Sequence, residues 1–284
     1  MKNSKSMLLI LLFVLGNKVV AAPAYVMPNT HMHPLSTPNT INKDYLLYVH
    51  LPRSYEVDKK VDFPVLYLLD PWWDFPVVAG SQSGLVYDGV IPAMIIIGIG
   101  YADLSADPNL LRNSDYTPTL TTSLPKSGDA SAFLQFINED IIPFIENQYR
   151  VDESFRVLAG SSHGGLFTLF TLFKKPTLFQ GHIAISPAVS YNHRWLFQRE
   201  SIFFAKNDSP TLNTNLYMTV GSHDQIDNFT NETIAFNNII KDRPYSKFNY
   251  KFEVRKNEHH ASVKLGAFSQ GLTHAFSTYK RSKK

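Results

Sequence analysis

The sequence predicts an α/β domain: a mainly parallel central sheet with helices on both faces. Three observations predict it. Short, continuous apolar runs recur along the chain, as strands buried on both faces require. Segments with three- and four-residue apolar spacing lie between them, and that alternation is the signature of helix-linked parallel strands. The length, 284 residues, suits one large domain of this class and is short for two.

The elements follow in order. Residues 25–43 are polar and carry Pro28, Pro34 and Pro38, which reads as an extended lead-in. "KDYLLYVHLP" (43–52) is a strand, "PVLYLLD" (64–70) a buried strand ending on a loop signal, and "AMIIIGIG" (93–100) a second buried strand. "FRVLAG" (155–160), "HIAIS" (182–186) and "LYMTVG" (216–221) continue the series, and "YKFEVRK" (250–256) closes it. Phe133, Phe136, Ile137, Ile141 and Phe144 mark a helix face, with Pro143 predicting a kink. Further helices are expected over 166–173, 228–240 and 262–279. No internal repeat or second domain is visible.

Composition narrows the function. The chain is 44% apolar and 18% charged, in the range of ordinary globular proteins. Residues 1–24 have the layout of a secretory signal peptide: Lys2 and Lys5, an apolar run over 7–15, and the small residues Ala22-Pro23-Ala24. The apolar run is shorter than the ~20 residues that span a bilayer, so no membrane anchor is expected after its removal. The expected mature chain is therefore residues 25–284, secreted or periplasmic. The leader holds three lysines and no acid, so the mature chain is formally neutral and carries no footprint for nucleic acid. The basic end, "KRSKK", reads as a solvated terminus. With no cysteine, thiolate catalysis, thiolate metal sites and disulfides are excluded. Asn228 and Asn231 head sequons that matter only where exported proteins are glycosylated. His31 and His33 lack a nearby acidic partner, so no metal site is expected, and no cofactor.

The chemistry concentrates in "AGSSHGGLFTLF" (159–170), which follows a predicted strand and opens a predicted helix. Gly160, Ser162 and Gly164 fit G-x-S-x-G, the nucleophile elbow of the α/β-hydrolase fold. A strand that turns into a helix within a few residues strains the serine backbone and crowds the positions two residues to either side. Only Ser162 has glycine at both, which selects it over Ser161 as the candidate nucleophile. Such a serine needs a histidine to take its proton and a carboxylate to orient that histidine, in the order serine, acid, histidine. Asp224 stands at the end of the strand "LYMTVG", with Asp227 and Glu232 as neighbouring rivals. His259 and His260 both follow the last strand, and adjacent side chains diverge, so only one of them can serve. The oxyanion donors expected are the backbone N–H of His163 and that of Trp72, since Pro71 has none. Trp73, Tyr116 and Tyr191, with Trp195 near them, are candidate aromatic walls of a substrate pocket.

With these residues placed, the chain resembles the esterase family that includes enterochelin (siderophore) esterases and esterase D-like enzymes. The resemblance spans about residues 35–276. It rests on "VHLPRSYE", "PVLYLLD", "IIIGIG", "LLRNSDYTPT" with Arg112, Asp115, Thr117 and Pro118, "FLQFINEDIIPFIENQYR", "GSSHGGLF", "ISPAVSYN" and "NEHHASV". It implies Ser162 as nucleophile, Asp224 at the acid position, and His260 over His259 through the pattern E-x-H-x-S-V. The chain departs from the family's Leu-Asp-Gly at Pro71, and the leader is similar to that of the family's exported branch. The implied activity is hydrolysis of a small-molecule carboxylic ester through an acyl-enzyme. An acyltransferase using the same triad, and an inactive hydrolase fold kept for binding, are the alternatives.

Overall fold

The structure is a computed structural model that describes residues 26–36, 43–103, 105–206 and 210–280. The expected signal peptide, residues 1–24, and the last residues of the basic tail, 281–284, lie outside the described residues.

Eight strands form one sheet: β1 (Thr30–Ser36), β2 (Asp44–His50), β3 (Phe63–Leu69), β4 (Ile95–Tyr101), β5 (Val151–Ser161), β6 (Gly181–Ile185), β7 (Thr211–Gly221) and β8 (Ser246–Arg255). Their spatial order is β1-β2-β4-β3-β5-β6-β7-β8. From β4 to β8 every pairing is parallel, whereas β2 runs antiparallel to both β1 and β4. Each predicted strand is present. The expected lead-in is itself largely an edge strand: β1 pairs along its whole length with β2, from Thr30 opposite His50 to Ser36 opposite Asp44. Pro34 is compatible with that position because an edge strand has one side free of ladder bonds.

Nine α-helices connect or cover these strands: α1 (Ser54–Val57), α2 (Pro71–Tyr87), α3 (Pro108–Tyr116), α4 (Ala130–Phe136), α5 (Ile142–Gln148), α6 (His163–Lys174), α7 (Tyr191–Ala205), α8 (Phe229–Asp242) and α9 (Val263–Ala275) among the described residues. Helices α2 and α9 cover one face, where Leu66 and Leu68 of β3 pack with Phe75, Phe268 and Leu272. The alternate β3 residues Val65, Tyr67 and Leu69 face the opposite core with Phe133, Ile137, Ile141 and Phe167. This two-sided burial is what the unbroken apolar runs anticipate. The kink expected at Pro143 takes the form of a π-helical turn, Ile137–Ile141, between α4 and α5. The wider turn accommodates a residue that donates no amide hydrogen and crowds the preceding carbonyl.

The order β4-β3-β5 sets the site. From β3 the chain moves outward to β4 and then returns across β3 to β5, so the connections leaving β3 and β5 diverge. A crevice outside the carboxyl ends of strands at such a switch is the usual ligand position in open α/β sheets. Asp70 and Ser162 both stand there.

Candidate active site

The elbow is built by backbone strain and the absence of side chains. Ser162 has φ 58° and ψ −121°, an uncommon conformation for a residue with a Cβ. A Cβ on Gly160 would lie 2.5 Å from the carbonyl carbon and oxygen of Gly164, so the turn closes only with glycine there. Ser162 N–H donates to the Ile185 carbonyl of the neighbouring strand at 2.9 Å, and its own carbonyl accepts from Leu166 and Ala188. The Ser162 hydroxyl makes no hydrogen bond among the described residues. The N–H of His163 opens α6 and has no acceptor within that helix, as first-turn donors do not.

The loops after β7 and β8 are sewn together by backbone bonds. Ser222 N–H donates to the Arg255 carbonyl and His223 N–H to the Glu258 carbonyl, each at 2.9 Å. This brings Asp224 and His260 into contact, with His260 Nδ1 donating to Asp224 Oδ2 at 2.9 Å. Asp224 is 1% exposed, so the pairing is shielded from water. Since a carboxylate only accepts, Nδ1 holds the ring proton and the lone pair is left on Nε2, the form a general base requires. Phe229 packs edge-on against the imidazole, 4.8 Å between centroids. His259 is exposed and lies against His223 instead, with the rings tilted and their centroids 5.4 Å apart. Of the rival acids, Glu232 is held by both nitrogens of an Arg194 fork at 2.8 Å, and the Asp227 side chain lies outside the described residues. A cavity of about 420 Å³ opens beside this pair, lined by His223, Asp224, Gln225, Ile226, His259, His260 and Ala261.

Ser162, Asp224 and His260 thus follow β5, β7 and β8, all at the carboxyl end of the parallel strands. The imidazole of His163, next to Ser162 in the chain, lies within electrostatic range of both Arg112 and His260. Burial, then the charges of Arg112 and His260, lower its pKa to about 4, so it is neutral at pH 7.

The loop after β3 closes the other side. Asp70 is left-handed, with φ 52° and ψ 48°, and Pro71 begins α2. Proline at the first helical position costs no hydrogen bond, because that donor has no helical acceptor. Its ring sits on β4, where a Cβ at Gly98 would come within 2.6 Å of Pro71 Cβ. The Trp72 N–H, next in the first turn, has no backbone acceptor among the described residues, whereas Trp73 and Asp74 N–H both bond to the Asp70 carbonyl.

The aromatic residues divide. Trp73 is 62% exposed beside the site, with Lys264 Nζ 4.8 Å from its ring centre. Tyr191 is nearly buried, edge-on to the His163 ring at 6.2 Å, and donates its hydroxyl hydrogen to the Thr119 carbonyl. The expectation for Tyr116 as a pocket wall is corrected: it is fully buried between Phe133 and Phe167, and its hydroxyl accepts from Asp70 N–H. Trp195 is partly buried and packs on Phe170 at the edge of the core. His33 is bound to Tyr149 at 2.6 Å, and among the described residues no group of three or more His, Cys, Asp or Glu side chains is arranged to hold a metal ion.

Sequence reasoning missed two ion pairs at the mouth. Arg112 grips both oxygens of Asp70 at 2.8 Å, and Lys264 Nζ lies 2.9 Å from Asp74 Oδ1. Arg112 stood out only as a mark of resemblance. The partners lie 42 and 190 residues apart, and no local pattern joins them.

A strained serine between a strand and a helix, at the crevice of a mainly parallel sheet, belongs to the α/β-hydrolase class. The chain belongs to the family described as "Putative esterase", matched over residues 38–276, and is an esterase of that class. It is 32% identical over 224 residues to the ferri-bacillibactin esterase BesA of Bacillus subtilis (strain 168), covering 71% of this chain and 73% of that one. It is 27% identical to a siderophore triacetylfusarinine C esterase of Aspergillus fumigatus, over 74% of this chain and 73% of that one. Among solved structures, the BES protein from Bacillus cereus superimposes with a TM-score of 0.80 at 26% identity, over 93% of this chain and 100% of that one. An IroE-like serine hydrolase from Shewanella oneidensis reaches 0.77 at 23% identity, over 87% and 80%, a likeness of fold.

Proposed function

We propose that the protein is an exported serine esterase that cleaves a bulky carboxylic ester, of the siderophore type or another aryl or acyl ester, through an acyl-enzyme. The observation that carries this reading is the buried Asp224 carboxylate on His260 Nδ1, on loops at the same end of the sheet as the serine on its strained elbow. Ser162 Oγ attacks the ester carbonyl carbon while His260 Nε2 takes its proton. The oxyanion is received by the N–H groups of His163 and Trp72, each in the first turn of a helix, where the helix dipole adds positive potential. As the intermediate collapses, the ester C–O bond breaks and His260 returns the proton to the departing alcohol. A water then repeats the sequence on the acyl-enzyme and releases the acid. Asp224 keeps the imidazole in the required tautomer and stabilises the imidazolium.

The exposed face of Trp73 and the cavity beside His223 and Ile226 suit an aryl or apolar group on the substrate. Relatives whose names specify siderophore esters favour that class. Export rests on the leader over residues 1–24, leaving residues 25–284 as one domain in the periplasm or outside the cell. Among the described residues, no helix is long and apolar enough to cross a membrane. The test is a chain-length series of model esters beside a catecholate siderophore lactone, assayed with the wild type and Ser162→Ala. The variant should lose at least ~10³-fold in turnover while remaining folded. Wild-type-like turnover by Ser162→Ala would remove the mechanism.

A further inference from the structure

The other serine of the elbow, Ser161, also makes polar contacts. Ser161 is 3% exposed and offers two groups to the mouth of the site. Its carbonyl accepts from Arg112 Nη2 at 3.4 Å, and its hydroxyl donates to Asp74 Oδ2 at 3.4 Å. These contacts reach the two ion pairs, Arg112–Asp70 and Lys264–Asp74. Both acids are 2% exposed, and the Arg112 and Lys264 side chains are 13% and 11% exposed. The acids bracket the first turn of α2, Asp70 just before the helix and Asp74 within its first turn, with Trp72 midway between them. The cations come from separate elements: Arg112 from α3, and Lys264 from α9, which follows directly on the His260 loop.

Four charges buried around one turn are costly for stability, and apolar groups of similar volume often serve as well or better. The sheet face beneath is already covered by Phe75, Val78 and Phe268. What the pairs add is direction, because a guanidinium fork and a buried ammonium each fix the carboxylate they grip.

We propose that Arg112 and Lys264, joined through Ser161, form a yoke that holds the first turn of α2 against the elbow and thereby aims the Trp72 N–H at the carbonyl under attack. Both are positioning residues, since neither touches the reacting atoms. The proposal rests on the reading that Ser162 is the nucleophile and Trp72 an oxyanion donor.

The test is steady-state kinetics of Lys264→Met, Lys264→Arg, Arg112→Met and Arg112→Lys, normalised to folded protein by circular dichroism, with Ser162→Ala alongside. A misdirected oxyanion donor weakens the transition state and leaves ground-state binding alone. Both Met variants should therefore lose ~10- to 100-fold in kcat with KM within about threefold. Lys264→Arg should recover most of the loss. Arg112→Lys should not, because one ammonium cannot reproduce the two-pronged grip on Asp70. Should the Met variants fail to fold, Arg112→Lys carries the test, since it keeps the charge and loses only the fork. If kcat stays within twofold of wild type in the folded variants while melting temperature falls, the pairs serve stability alone and the yoke is wrong. Full activity in Ser162→Ala would instead overturn the underlying reading of the site, which separates the two failures.

Discussion

Replacing Gly160 with alanine tests whether the elbow is as tightly closed as the structure describes. The added Cβ would sit 2.5 Å from the carbonyl carbon and oxygen of Gly164 and 2.9 Å from its Cα. Ordinary contact between carbon atoms is about 3.5–4.0 Å, so the shortfall is about 1 Å. All three atoms are backbone, and no side chain can rotate away. The strain must be relieved by moving residues 160–164 apart, which displaces Ser162 at the centre of that segment. Overpacking of this kind costs ~1–3 kcal/mol, which lowers the melting temperature by roughly 2–12 °C in a domain of this size. A displacement of about 1 Å at a reacting group costs ~10²-fold in rate, or about 2.7 kcal/mol of barrier. The matched control is Gly80→Ala in α2, where nothing lies within 4 Å of the new Cβ. Alanine is better than glycine in a helix by ~0.5–1 kcal/mol, so that variant should melt slightly higher. Thermal melts by circular dichroism and turnover of a model ester read both effects. Wild-type stability and kcat in Gly160→Ala would refute the packing argument for the elbow.

Further expectations concern the groups around the serine. Asp224→Asn should lower kcat by ~10³- to 10⁴-fold at pH 7 with KM nearly unchanged, because the amide hydrogen favours the wrong His260 tautomer; a loss below tenfold would move the acid role elsewhere. His163 is held neutral in the fold until about pH 4, by burial first and by the charges of Arg112 and His260 second. The unfolded chain protonates this histidine near its ordinary 6.5, so its contribution to stability is lost as pH falls from 6.5 towards 4, reaching ~3 kcal/mol. Urea titrations should show wild-type stability falling more steeply than that of His163→Gln across that window, and parallel curves would contradict the burial argument. Trp73→Ala should raise KM for aryl esters by ~2- to 10-fold and leave a simple acetate ester unaffected, matching the worth of one aromatic contact.

The parts of this fold that can be read from sequence are those set by local physics. "PVLYLLD" and "AMIIIGIG" announce themselves because a strand buried on both faces must be apolar throughout. Helix α2 does not, because Pro76, Gly80 and Gly84 interrupt its pattern and one turn of it carries the polar machinery of the site. Edge strand β1 is hidden by Pro34 within it and by exposure on most of its residues. Gly160, Gly164 and chain order nominate Ser162, an acid near Asp224 and one of the two adjacent histidines, and only the E-x-H-x-S-V pattern of the family resemblance singles out His260. Tyr116 shows the limit of such reasoning, since an aromatic residue near a strand end reads alike whether it lines a pocket or fills the core. The clamps on Asp70 and Asp74 join residues from distant segments, and their geometry exists only once the chain has folded.

The central claim is that Ser162, oriented opposite His260 and the two helix-turn N–H groups, forms the covalent intermediate. A crystal structure of the protein treated with a fluorophosphonate tests this most directly. The account predicts one phosphorus–oxygen bond, at Ser162 Oγ, with the phosphonyl oxygen between the N–H groups of His163 and Trp72 and His260 Nε2 within hydrogen-bond reach. An adduct on Ser161 or on another residue, or a His260 ring turned away from a labelled Ser162, would contradict it.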